Sequence, residues 1–267
     1  MTQEHKLAAS SGQQAEQERP KELPEELLEK RPARAVFLDL DDTLYDHLTP
    51  LRDALREVLS LPSDFPYDRA YALFRYYSDL ISEQENLSAV PDKEKVAWMQ
   101  KQRFIRMLAD FGINVSEERA GQLQDAYLGR QFAIQPFQGA VELIAELNRQ
   151  GDLVGLITNG AGPHQIAKID ALKIKTAIPA GRIFVSGVVG IAKPDPGLFG
   201  HVNRMTGTRP EESIYIGDSW RNDVAGSLAA GWTCIWFNHR GAEPESELQP
   251  HHVAADYDEI RRILLGS

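Results

Sequence analysis

The sequence predicts an α/β fold, a doubly wound parallel sheet with a helical cap domain inserted into it. Three observations predict it. From Ala140 onward, short apolar runs alternate with helix-length segments, the pattern of a parallel sheet covered on both faces. One strand-like run, residues 35–40, stands upstream, separated from that alternation by helical pattern over roughly residues 49–133. Several apolar runs end in acids, hydroxyls or amides, as buried strands do where their C-terminal ends carry a ligand site.

Taken in order, residues 1–32 are rich in Gln, Glu, Lys and Ser, with Pro20, Pro24 and Pro32. They read as a flexible tail with one helical turn at 25–30. The first strand, 35–40, is apolar up to its acids. Helices are expected over 49–60, 67–82, 92–111 and 116–132, punctuated by Pro62, Pro66, Pro91 and Gly112. In the third, Val96, Met99, Phe104, Met107 and Leu108 keep approximate helical spacing. Four helices with short joints make a small bundle, with Phe74, Tyr76, Tyr77, Trp98 and Phe104 as its expected aromatic core. The alternation follows: helix 140–150, strand 153–158, helix 164–172, strand 182–186, helix 195–207, strand 213–217, helix 222–230 and strand 233–238. Residues 241–252 read as a loop and 257–265 as a helix packed on the core. The domains are therefore a tail (1–32), a core (33–46 and 136–267) and a helical cap (47–135).

Composition narrows the task. The chain has 267 residues, 42% of them hydrophobic, enough for a sizeable core. A net charge of -10 disfavours the nucleic-acid backbone or an anionic membrane as main partner. It leaves an anionic small molecule open, because a local metal and a lysine override global charge. The single cysteine, Cys234, precludes an intramolecular disulfide and reads as a buried structural thiol in a reducing compartment. No run approaches a membrane span and the N-terminus lacks an apolar signal core, so a soluble cytoplasmic protein is expected, monomer or homodimer.

Four strand ends carry chemistry. In Asp39-Leu40-Asp41-Asp42-Thr43-Leu44, Asp39 and Asp41 share a face in extended chain. Two adjacent carboxylates repel until a cation relieves them; one can attack phosphorus while the other moves a proton. Thr158-Asn159-Gly160 ends a strand with groups that hold phosphate oxygens, or simply cap the next helix. Lys193-Pro194-Asp195-Pro196 fixes one ammonium between prolines, where it neutralises phosphoryl oxygens or sits at a surface turn. Gly217-Asp218-Ser219 with Asp223 offers oxygen ligands for Mg²⁺, or a helix cap at Asp223.

In this order the four sets resemble the haloacid dehalogenase-like (HAD) superfamily over residues 35–238. The resemblance implies a Rossmann-like core, and the helical insertion resembles the subgroup of phosphoglycolate phosphatase, β-phosphoglucomutase and several nucleotidases. It also implies roles. Asp39 is the nucleophile that forms an aspartyl-phosphate, and Asp41 the acid and base, its carbonyl also a metal ligand. Thr158 and Asn159 grip the phosphoryl group, and Lys193 holds the charge together. Asp39, Asp41, Asp218 and Asp223 form the Mg²⁺ site. Asp41 argues against dehalogenation, since haloacid dehalogenases lack an Asp there. The expected activity is a Mg²⁺-dependent phosphatase for a small phosphomonoester, such as a nucleoside 5′-monophosphate or a sugar or glycolate phosphate. The alternatives are a β-phosphoglucomutase-like phosphomutase and a non-catalytic regulatory module. Tyr45, Asp46 and His47 are expected at the entrance and hinge, where His47 either touches substrate or, as expected, is solvated. His164 is expected on a helix surface, and Arg103 and Arg106 either bind a second anionic group or, as expected, face solvent.

Overall fold

The computed structural model describes residues 34–85 and 93–266. The expected tail, its turn at 25–30, and the Pro91–Asp92 start of the third helix lie outside the described residues. Six strands form one sheet: β1 (Ala35–Leu38), β2 (Leu153–Thr158), β3 (Ile183–Val185), β4 (Ser213–Gly217), β5 (Thr233–Phe237) and β6 (His252–Ala254). All neighbours are parallel, in the order β3-β2-β1-β4-β5-β6. The chain winds outward from β1 in one direction, then returns to wind outward in the other. Such a reversal leaves a crevice beyond the strand ends, where ligands bind in open α/β sheets. Leu38 is level with Leu156 of β2 and Ile216 of β4, so β1 ends there, β4 one residue later at Gly217 and β2 at Thr158, all at the same end of the sheet.

β1 is buried on both faces because its residues alternate between two apolar layers. Val36 and Leu38 pack with Leu143, Ile144 and Ile260, while Ala35 and Phe37 pack with Leu198, Phe199 and Trp232. Among the described residues five helices stand between β1 and β2, and the first four are α1 (Leu48–Leu59), α2 (Tyr67–Gln84), α3 (Lys93–Ala109) and α4 (Glu117–Arg130). They share an apolar cluster of their own, including Leu51, Tyr71, Phe74, Phe104 and Tyr127. α5 (Ala140–Arg149) leads into β2, and after β2 come α6 (Gly162–Ala171), α7 (Ser186–Val189), α8 (Pro196–Thr206), α9 (Ala225–Ala229) and α10 (Tyr257–Leu265). Asp195 caps α8 by accepting the Gly197 N–H at 2.8 Å, and Pro196 occupies the first turn, where its missing N–H costs nothing.

Three expectations need correction. The segment read as a loop ends in β6, which pairs with β5 through His252, Val253 and Ala254. Three residues with two exposed side chains give no readable alternation. Tyr76 and Trp98 are exposed rather than core. Tyr76 is two residues from Phe74, about 200° round the helix, whereas Tyr77 at three residues shares Phe74's side. The helix expected over 222–230 begins earlier, as a π-helical turn over Trp220–Val224 that runs into α9. Cys234 is buried and unpaired, and burial pushes its thiol up to about 12. Among the described residues no helix is long and apolar enough to cross a membrane.

Candidate active site

The three level strands deliver their polar ends to one crevice. Asp39 follows β1, and its N–H donates to Ile216 O at 2.9 Å, which continues the ladder one residue past the strand. Its carboxylate is buried and faces Lys193, whose Nζ lies 2.8 Å from Asp39 Oδ1. That approach is an ion pair without hydrogen-bond alignment, and no other donor reaches the oxygen. Lys193 Nζ also donates to Asp223 Oδ1 at 2.6 Å and to the Tyr215 hydroxyl at 2.8 Å. Asn159 holds the lysine's backbone at both ends: its Nδ2 donates to Lys193 O, and its Oδ1 accepts the Lys193 N–H, each at 2.9 Å. The Asn159 side chain is thus a brace between the β2 end and the lysine loop.

The β4 end brings the other acids. Asp218 Oδ1 accepts from Thr43 Oγ1 at 3.2 Å, and its Oδ2 meets the Arg75 guanidinium from α2. Asp223, on the π-helical turn, is fully buried and accepts the Ser219 N–H at 2.9 Å. Gly217 makes room for it: a Cβ there would stand 2.4 Å from Asp223 Oδ2. Asp39, Asp218 and Asp223 each offer an oxygen, all within 4.8 Å of one another. Asp41 adds no side-chain oxygen to that group.

The electrostatics mark this group as short of positive charge. Burial pushes the Asp39 carboxyl up to about 6, with Lys193 opposing and Asp223 and Asp41 adding to the push. Burial pushes Asp218 well above the carboxylate range, although Arg75 opposes it. Burial by itself lowers the Lys193 ammonium, but Asp223 and Asp39 outweigh that, so it is raised and stays charged. Two buried carboxylates and a half-buried one, all hard oxygen donors, suit a divalent cation that supplies the missing positive charge.

Asp41 points the other way. Lys168 Nζ contacts both of its oxygens, at 2.8 and 3.1 Å, Gln165 Nε2 donates at 3.0 Å, and the Tyr45 hydroxyl also donates. Burial pushes the Asp41 carboxyl up, but Lys168 leads the groups that outweigh it and hold it well below the usual range. Gln165 Nε2 also donates to Thr158 Oγ1 at 2.7 Å, tying the hydroxyl of the β2 end to the same group. Neither Gln165 nor Lys168 stood out in the sequence. The signal was there: with Ile169 and Leu172 they occupy i, i+3, i+4 and i+7, the buried stripe of α6.

Asp42 and Arg240 were also missed. Asp42 has a left-handed backbone (φ 62°) and is buried, and Arg240 Nε and Nη2 each donate to its carboxylate at 2.8 Å. His47 is not solvated as expected. It lies between two phenols, with Nε2 2.6 Å from the Tyr127 hydroxyl and Nδ1 3.3 Å from that of Tyr71. Arg103 also departs from expectation. It lines a cavity of about 330 Å³ together with Asp39, Asp41, Thr158 and Lys193. Phe74, Arg75 and Tyr127 line the same cavity from the helical block. The solvent-facing expectation failed because the surrounding aromatic faces, invisible in sequence, hold the guanidinium inward. His164 is half-buried beside the Phe132 ring, 5.5 Å away. Tyr45 forms isolated bridges with both Asp41 and Pro136, which brings the segments before α1 and after α4 side by side.

Residues 33–231 match the family model of the haloacid dehalogenase-like hydrolases. This chain is a haloacid dehalogenase-like hydrolase. It is 32% identical to the phosphoserine phosphatase of Thermus thermophilus over 248 residues, 85% of this chain and 97% of that protein. It is 26% identical to the glyceraldehyde 3-phosphate phosphatase of Methanopyrus kandleri, over 76% of this chain and 82% of that one. The N-acylneuraminate-9-phosphatase of Rattus norvegicus is 25% identical, over 86% and 93%. The HAD-hydrolase YfnB from Bacillus subtilis, solved with magnesium, shares the fold with a TM-score of 0.66 at 23% identity, covering 88% of this chain and all of that one. Hydrolases of this family generally use a divalent metal, and the Asp39, Asp218 and Asp223 oxygens of this hydrolase are a donor set of that kind.

Proposed function

We propose that this hydrolase is a Mg²⁺-dependent phosphatase that cleaves small phosphomonoesters through an aspartyl-phosphate on Asp39. The observation that carries the reading is Asp39 facing the buried Lys193 beside Asp218 and Asp223, with Asp41 two residues away. The sequence relatives named as phosphatases support it. Asp39, Asp218, Asp223 and the Asp41 carbonyl would hold Mg²⁺, which supplies positive charge to the carboxylates and the phosphoryl oxygens. Asp39 attacks phosphorus in line with the leaving oxygen, which splits hydrolysis into two steps. Lys193 neutralises Asp39 and the equatorial oxygens. Thr158, positioned by Gln165, and the Asn159 turn receive those oxygens. Asp41, ionised while Lys168 and Tyr45 hold it, takes up a proton from solvent as it leaves those contacts, gives that proton to the leaving oxygen, and then takes one from the attacking water.

We also propose the division into a core (33–46 and 136–267) and a cap (47–135) that closes over the crevice and excludes water. Crossing at Tyr45 and Pro136 suits a hinge there. The test is inorganic phosphate release from a panel of phosphomonoesters, with and without Mg²⁺, for wild type and Asp39→Asn. Wild type should release phosphate only with the cation, and Asp39→Asn should lose at least about a thousandfold in kcat. Release that survives chelation, or an active Asp39→Asn protein, would sink the reading.

A further inference from the structure

Among the described residues, Lys193 and Arg75 on the cavity have carboxylate partners and Arg103 does not. Lys193 sits between Asp39 and Asp223, and Arg75 meets Asp218 with Asp42 at 4.0 Å. Among the described residues no carboxylate lies within ion-pair distance of Arg103. Its contacts are neutral: Nη2 donates to Gln124 Oε1 at 2.8 Å, and Nη1 lies 3.4 Å from Ser78 Oγ. Its Nε is buried and has no acceptor. Two of the five guanidinium N–H groups are therefore engaged, and weakly in one case. The plane is held in place by aromatic faces, with the guanidinium carbon 4.2 Å from the Phe74 ring centre and 5.4 Å from that of Tyr127.

Burying a cation without a counter-charge is costly, and the cost is recovered when a ligand brings the anion. Burial lowers the Arg103 guanidinium to about 10, so it remains charged at neutral pH. The cavity also fixes the size of what it receives. At about 330 Å³ it holds a phosphoryl group and a short remainder. One free guanidinium matches one negative charge in a planar, two-oxygen group, which is a carboxylate. A second phosphate would bring two charges and call for a second free cation, and the other cations on the cavity are already paired.

We infer that Arg103 receives a carboxylate on the leaving group, so that the substrates are phosphate esters of small hydroxy acids. This rests on the phosphatase reading above. The phosphate is held at the strand ends and the carboxylate at α3, with the ester oxygen between them, within reach of Asp41. Arg103 is then the specificity determinant contributed by the helical block.

The experiment compares matched esters that differ only in the carboxylate: 2-phosphoglycolate with ethyl phosphate, O-phosphoserine with O-phosphoethanolamine, and 3-phosphoglycerate with glycerol 3-phosphate. Wild type should favour the acid in at least one pair by roughly tenfold or more in kcat/KM. Arg103→Met, which keeps much of the stem and removes the charge, should bring that ratio close to one. Arg103→Lys should fall between, since an ammonium lacks the fork. A wild-type ratio of one or less in every pair would overturn the inference, whether or not the variants fold. So would an acid preference that persists in Arg103→Met. In both cases phosphate release by wild type would leave the phosphatase reading standing. Release from none of the six esters would instead count against that reading, and the inference would fall with it.

Discussion

Lys193 is an ammonium that serves two buried acids, and its removal tests how far they depend on it. Asp39 and Asp223 are almost fully buried, and among the described residues Lys193 is the cation that pairs with both. Removing one partner of a buried pair leaves an uncompensated charge, a loss of about 3 kcal/mol or more. Lys193→Ala should therefore unfold at lower urea, by about that amount at neutral pH in the absence of divalent cation. Added Mg²⁺ should restore part of the stability, since a cation bound by Asp39, Asp218 and Asp223 relieves the same repulsion. The same variant should lose roughly a hundredfold or more in kcat. Unchanged denaturation and kinetics would return Lys193 to a plain turn residue. At this scale the sequence was informative where a residue ends a strand, as Asp39, Thr158 and Asp218 do. For Lys168 and Gln165 the signal was only their place on the same helical stripe as Ile169, because polar residues on a helix read as solvent-facing until the packing partner of that face is known.

Three helices of the inserted block converge on one imidazole. His47 precedes α1, Tyr71 belongs to α2 and Tyr127 to α4, and both phenols reach its ring nitrogens. Burial lowers the His47 imidazole to about 4, with Lys168 and Arg75 adding to the effect and Asp41 and Asp42 opposing it. The ordinary value is about 6.5, so the folded chain favours neutral His47. Above pH 6.5 neither state binds the proton and the contribution is fully present. Between about 6.5 and 4 the unfolded chain takes up a proton that the folded chain refuses, so stability falls as pH falls. Below that window both states are protonated and the loss stops growing. The total is of order 3 kcal/mol. Urea denaturation at intervals from pH 4 to 8 should show this decline in wild type, and His47→Gln should flatten it. An equal slope in both proteins would assign the decline to other groups. Element positions were mostly legible, because a period near 3.6 and a buried apolar run are local properties. The convergence on His47 was not, since Tyr127 lies 80 residues away in sequence.

At the scale of the whole molecule, Arg240 joins parts of the chain that the sequence gives no reason to connect. It follows β5, and it reaches Asp42 after β1, Asp46 at the entry to the helical block, and Asp68 on α2. Its partners lie up to 198 residues away, so no local pattern reveals them. The three contacts differ in weight. Asp68 is exposed and Asp46 partly so, which makes their pairs with Arg240 weak and screened by salt. Asp42 is buried: burial pushes its carboxyl up, and the hydrogen bonds from Arg240, the nearby His239 ring at 3.3 Å and the charges of Arg240 and Arg75 outweigh that and hold it low. The difference yields an ordered set of expectations. Asp68→Ala should change stability by less than about 0.5 kcal/mol. Arg240→Met should lose about 3 kcal/mol, because it leaves Asp42 buried with much of its counter-charge gone. Asp42→Asn in the Arg240→Met background should recover part of that loss, since the stranded charge goes with it. Urea denaturation of the two single variants and the double variant closes the cycle. If the double variant is as unstable as the sum of the singles, Arg240 acts through Asp46 and Asp68 or through packing on Tyr71, whose ring centre is 5.0 Å from its guanidinium carbon, and the buried pair with Asp42 is not what holds these parts together.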